Sequence, residues 1–304
     1  MPDLKYAFND FAMRNPVIVG LGELLWDVFP EYKRAGGAPA NVAFHANQLG
    51  NKGVPASRVG NDEDGKELLQ LLSSHGLDTT YIQKDDVAPT GTVEVAITNQ
   101  EASYTITEDV AWDHLALTSQ WIDLAREADA VCFGTLAQRD EISRRTILEF
   151  LENTTGDCLK IADINLREPH YTKKIIKKTI ELADVVKLNE SEWQQMGEMF
   201  GVEDVRQWLF GEMGVTTICL TKGSDGAELM TQNEHLIEPV HPIDSSNGDS
   251  VGVGDAFTAA LTHHLLRNTP LDVTIKVANK YAAQVAARKG AMPELPEAVV
   301  SSLT

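Results

Sequence analysis

Asp249-Ser250-Val251-Gly252-Val253-Gly254-Asp255-Ala256-Phe257 is a polar, glycine-bearing loop that runs into an apolar segment, and the fold is decided by how this stretch is read. Small and apolar residues dominate from Ala256 to Leu266, which predicts a helix; Gly252 and Gly254 leave the backbone free to turn tightly before it. A loop without side-chain bulk that feeds a helix N-terminus turns unpaired N–H groups and the positive end of the helix dipole towards one point. Such a point suits an anion. Asp255 stands beside it, either as an N-cap or as the base that takes a proton from an attacking hydroxyl.

Outward from this loop the chain alternates strands and helices. A helix predicted around Trp112 to Ala128 precedes the strand Ala130 to Gly134, and a helix at 141–152 precedes Leu159 to Asn165. A helix near 171–183 precedes the strand Asp184 to Asn189, helical segments near 191–211 precede the strand Thr217 to Gly223, and short strands follow at 227–230 and 235–238. A second Ala-rich helix runs from Val273 to Ala287. This order implies a parallel sheet with helices on both faces. Asp163, Asn165, Asn189 and Thr221 all fall at C-terminal strand ends, where open α/β sheets place their ligands. Residues 91–108 differ: two strands around a polar turn at 99–102 read as a hairpin standing off the main body, suited to a lid.

The apolar run Val17 to Leu25 reads as a strand buried on both faces. Its Gly20-x-Gly22 is no dinucleotide fingerprint, because Leu25 occupies the third glycine position. Gly36-Gly37 reads as a hinge and Pro39 as the first turn of a helix that ends near Gly50. Gly60 to Lys66 resembles a phosphate loop, but Glu67 replaces the metal-binding hydroxyl and three acids crowd it, so it reads as the acidic first turn of a helix reaching His75.

The 304 residues carry a net charge of −19, which opposes nucleic-acid and anionic-membrane partners. A content of 43% hydrophobic and 23% charged residues suits one main globular domain. Cys132, Cys158 and Cys219 show no CxxC spacing and read as buried, reduced thiols. Met1 to Asn15 is mixed and polar, without secretory character, and no apolar run approaches the ~20 residues of a membrane span, so a cytoplasmic protein is expected.

Taken together, the motifs resemble the ribokinase-like (PfkB) family of sugar kinases, and within it the chain is most similar to fructokinases. The likeness rests on Gly22 to Asp27, Gly36 to Ala43, Asp163 to Arg167, Asn189 to Glu192, Thr221 to Gly223 and Asp249 to Asp255, in that order. It implies a three-layer α/β/α domain over 1–304, with a mainly parallel central sheet and a small β-sheet lid from about 23–36 and 90–110. It also implies transfer of the ATP γ-phosphate to a primary hydroxyl of a small sugar, fructose first. Ribose, 2-keto-3-deoxygluconate or a nucleoside stay open as acceptors, as does a catalytically silent sugar-binding regulator. The resemblance gives Asp255 the role of base and Gly252, Val253 and Gly254 that of the anion hole. Asp27, Gly37, Asn41 and Arg167 would hold the sugar. Lys187, Asn189, Thr221, Lys222, Gly223, Gly226 and Asn279 would serve the nucleotide. Asn189 and Glu192 would organise Mg²⁺ through water. A monovalent cation such as K⁺ would sit by Asp249, Ser250, Val285, Arg288 and Gly290, and a homodimer is allowed. Ser250 and Val253 depart from the usual Thr and Ala, and Val253 is expected to crowd the loop.

Overall fold

The computed structural model describes residues 15–98 and 101–304. Met1 to Arg14 and the Asn99-Gln100 of the hairpin turn lie outside the described residues.

The described residues begin with β1 (Val17–Leu21), β2 (Leu25–Val28), β3 (Lys33–Gly36), α1 (Ala38–Gln48), β4 (Lys52–Gly60), α2 (Glu63–Ser74) and β5 (Ile82–Asp85). The hairpin is β6 (Gly91–Thr98) and β7 (Glu101–Ile106). Then come α3 (Ser119–Glu127), β8 (Ala130–Gly134), α4 (Glu141–Glu152), β9 (Leu159–Asp163), α5 (Lys173–Glu181), β10 (Val185–Asn189), α6 (Glu190–Phe200), α7 (Val205–Gly211) and β11 (Thr217–Thr221). The chain closes with β12 (Ala227–Met230), β13 (His235–Glu238), α8 (Val253–Leu266), α9 (Leu271–Ala286) and α10 (Glu297–Ser301).

Nine strands form one sheet in the order β13-β12-β11-β10-β9-β8-β1-β4-β5. It is parallel except for β12 and β13, which pair antiparallel at one edge. Its alternating side chains build two cores. Val17, Val19 and Leu21 join the apolar cluster that includes Trp121, Phe150, Ile176 and Trp208 of α3, α4, α5 and α7. Ile18 faces the opposite cluster, with Val42, Phe257 and Tyr281 of α1, α8 and α9. Three layers result, α/β/α, as the resemblance implied. Each fully buried large side chain here stabilises by roughly 1.5–3 kcal/mol. A Cβ on Gly20 would collide with the Pro39 carbonyl, so this glycine lets α1 lie against β1.

A second sheet of four strands, β3-β2-β6-β7, stands apart. Leu25, Val93 and Val95 form its own small apolar cluster, backed by Phe29 and Ile106.

Two expectations are corrected. The run 17–25 is not one strand: β1 stops at Leu21, and β2 begins at Leu25 in the other sheet. No single helix spans 112–128. Residues 111–114 make one 3₁₀ turn, the backbone of Leu115 is claimed by the Ser143 and Thr146 hydroxyls, and Thr118 caps α3. The helical segments expected near 191–211 are α6 and α7, separated at Gly201 in the left-handed conformation.

Candidate active site

The two sheets flank a cleft of about 600 Å³. Its floor is where α1 and α8 begin, so two helix N-termini converge there. Gly252 is the N-cap of α8 with φ 74°, and a Cβ would meet the Ala291 backbone at 2.6 Å. Only glycine serves at that point. Among the described residues, no hydrogen bond engages the N–H groups of Gly252, Gly254 and Asp255. These are the donors an anion would meet.

Asp255 is not the cap. It lies in the first turn of α8, and its Oδ2 accepts from the Asn41 amide of α1 at 2.7 Å. Burial, reinforced by the charge of Asp163, pushes its carboxyl up to about 6, although Asn41, Lys187 and Arg167 pull the other way. A carboxylate near that value is ionised at neutral pH yet desolvated, as a proton acceptor should be. Val253 does not crowd the loop: its side chain packs against the apolar cluster under α8.

Lys187 of β10 reaches Asp163 of β9 at 2.7 Å, and Thr258 also donates to that carboxylate, at 3.2 Å. Burial pulls the Lys187 ammonium down, but Asp163 more than reverses this and holds it above its ordinary value. Lys187 therefore stays charged beneath the loop, 3.4 Å from where a Cβ on Gly254 would stand.

The cleft gathers Asp27, Gly37, Asn41, Arg167, Lys187, Ser250, Gly252, Gly254 and Asp255 of the anticipated set. Burial raises the Asp27 carboxyl, against the pull of Arg167 and Arg34. Asn189, Glu192, Thr221, Lys222, Gly223, Gly226, Asn279, Asp249, Val285, Arg288 and Gly290 do not line it. Asn189 and Glu192 form a capping box at the start of α6: Glu192 accepts from the N–H groups of Asn189 and Leu166, at 2.9 and 2.8 Å. Burial and Asp163 raise the Glu192 carboxyl. Thr221 donates to the Leu188 carbonyl, and Lys222 pairs with Glu228 at 3.1 Å. Gly223 and Gly226 shape the turn after β11, and Asn279 donates to the Glu238 and Pro239 carbonyls.

Sequence reasoning gave no site role to Glu23 or Arg34. Arg34 of β3 bridges to Asp249 at 2.9 Å, tying the small sheet to the loop before α8. Asp249 also accepts from the N–H groups of Val251 and Gly290.

Exposed N–H groups beside a buried, ionised carboxylate, in a cleft large enough for a small molecule and its phosphate donor, suit transfer of an anionic group to a hydroxyl. This chain belongs to the pfkB family of carbohydrate kinases, whose profile matches residues 18–298. It is 33% identical to a sugar kinase of Pyrococcus horikoshii over 90% of this chain and 91% of that one. A structure of that uncharacterized kinase in complex with ATP aligns with a TM-score of 0.78, at 29% identity, covering 95% of this chain and all (100%) of that one. Escherichia coli fructokinase is 30% identical, over 91% of this chain and 95% of its own length. The structure of Salmonella enterica aminoimidazole riboside kinase, complexed with aminoimidazole riboside and an ATP analog, aligns with a TM-score of 0.78 at 25% identity, covering 95% and 100%. The protein is a carbohydrate kinase.

Proposed function

We propose that this kinase moves the γ-phosphoryl group of ATP to a primary hydroxyl of a small sugar, with fructose as the preferred acceptor. The observation that carries the reading is Asp255, buried, held by Asn41, and set among the free N–H groups of the α8 loop. The fructokinase and ATP-complexed relatives support the choice of acceptor and donor.

Asp255 takes the acceptor's hydroxyl proton while the oxygen attacks the γ-phosphorus, and the bond to the bridging oxygen of ADP breaks. The N–H groups of Gly252, Gly254 and Asp255 stabilise the charge on the phosphoryl oxygens. Asp27, Asn41 and Arg167 hold the sugar, with Gly37 opening room beside them. The four-stranded sheet serves as a lid over the cleft, hinged at Gly36-Gly37, and excludes water as a competing acceptor. The turn after β11 lies along the nucleotide.

Mg²⁺ fits this chain only in part. Both Glu192 oxygens accept backbone N–H groups, and among the described residues no cluster of three carboxylate, His or Cys side chains forms a cage. Asn189 and Glu192 would therefore hold the ion through water, and its chemistry when bound is to neutralise phosphate charge. A monovalent cation fits poorly. Arg34 already neutralises Asp249, and the Arg288 and Val285 carbonyls accept the N–H groups of Asp249 and Arg288. No step of the transfer depends on one.

The test is ADP release measured over fructose, ribose, 2-keto-3-deoxygluconate and a nucleoside. Fructose is expected to give the highest kcat/KM. A higher value with another acceptor would replace fructose, and no turnover with any would reject the reading.

A further inference from the structure

Glu23, in the turn between β1 and β2, is a carboxylic acid left unused by the roles above. It is 6% exposed and lines both the large cleft and a smaller, water-sized cavity of about 20 Å³ shared with Asp163, Asn165 and Thr258. The carboxyl draws on the backbone N–H groups of Glu23 itself and of Ala38, the first residue of α1. Its Oε2, however, is buried with no hydrogen-bond partner. Asn41 Oδ1, on the same cleft, is in the same state. Buried polar atoms are costly to leave unmatched. A ligand rich in hydroxyls answers both, since a hydroxyl gives and takes hydrogen bonds. An anionic group would face Asp27, Asp163 and Asp255 at this end of the cleft.

We propose that Glu23 is a further acceptor-binding residue of this kinase: its free Oε2 hydrogen-bonds a hydroxyl of the bound polyol other than the one Asp255 deprotonates. This rests on the sugar-kinase reading above. The charges around Glu23 say in which form it works. Burial pushes its carboxyl up to about 7; Asp255 adds to the rise, while the two backbone N–H groups and Arg167 pull it back. Asp163 of β9, Asp27 of β2, Arg34 of β3 and Lys187 of β10 complete the charged lining. Below that value Glu23 is neutral, and its O–H donates to the acceptor. Above it, acceptor binding has to desolvate a second carboxylate beside Asp255.

The test uses the full chain and whichever acceptor the panel identifies, with acceptor KM and ATP KM measured from about pH 6 to about pH 8, across the titration of Glu23. Glu23→Gln keeps an N–H donor that needs no proton. Its acceptor KM is expected to stay flat, while that of the wild type climbs about tenfold as Glu23 ionises. Glu23→Ala is expected to raise acceptor KM about tenfold at the low-pH end with ATP KM unchanged. If the alanine variant fails to fold, Glu23→Gln against wild type decides. A wild-type acceptor KM that stays flat with pH, or an alanine variant that raises both KM values alike, would overturn the proposal. An active wild type with such results sinks only the role of Glu23. An inactive wild type sinks the sugar-kinase reading instead.

Discussion

Lys187 lies in the middle of β10 and Lys222 just past the end of β11, and each pairs with a carboxylate: Asp163 at 2.7 Å and Glu228 at 3.1 Å. Lys187 is buried on the cleft floor, whereas Lys222 stands at the open edge after β11, where Glu190 is its second partner at 3.8 Å and His235 shares Glu228 with it. At the edge, Glu228 is pushed up by burial, yet His235 and Lys222 hold it below its ordinary range. At the floor, Asp255 and Glu23 remain raised to about 6 and about 7 despite the cations near them. Burial, and not the kinds of residue present, separates the two places. The edge carboxylate is relieved, whereas at the floor Lys187 relieves Asp163 but leaves Asp255 and Glu23 raised, and the floor is where proton transfer needs a raised carboxyl.

Lys187→Met tests this most severely, since it strands Asp163 in the floor. A loss of about 3–5 kcal/mol in urea unfolding is expected. Lys222→Met, at the solvent edge, is expected to leave the urea midpoint where it was. Equal losses from the two would break the contrast. Arg34→Gln removes the half-exposed tie between the small sheet and Asp249. An exposed pair of this kind is worth less than about 1 kcal/mol, so acceptor KM is expected to rise by up to about fivefold with folding stability little changed. An unchanged acceptor KM would remove that tie from the action proposed for the small sheet.

Much of this was legible in the chain. The strands 130–134, 227–230 and 235–238 and the helix 141–152 lie where apolar runs and periodicity put them. The loop before α8 announced itself because glycines, an acid and an apolar helix occur in immediate succession. What was not legible depended on distant partners or on broken local signals. β4 went unread: Pro55 interrupts its pattern, yet it pairs in the sheet interior opposite Gly20. β5 offers only Ile-Gln-Lys-Asp, too polar for a buried strand. Arg34 finds Asp249 across 215 residues, a contact no local pattern contains. Glu23 falls inside the run 17–25 that reads as a single buried strand, which hides the turn between β1 and β2; its one signal was the apolar residues on both sides of it. Val253 looked obstructive because the direction of a side chain cannot be read from its size.

The measurement that reaches furthest is Asp255→Asn, assayed for turnover and for stability against pH. Asp255 titrates at about 6 in the folded chain against an ordinary 3.8, so the folded state binds the proton more tightly. Ionising it therefore costs stability as pH rises from about 4 to about 6, and the cost is fully present above that range. Asn removes the charge and keeps an oxygen for Asn41. The expected result is turnover reduced by about 10²–10⁴-fold. Stability at about pH 7 is expected to rise by something on the order of 3 kcal/mol, a gain that vanishes below about pH 4. Turnover retained, or stability lowered at neutral pH, would contradict the assignment of Asp255 as a buried base held charged for the reaction.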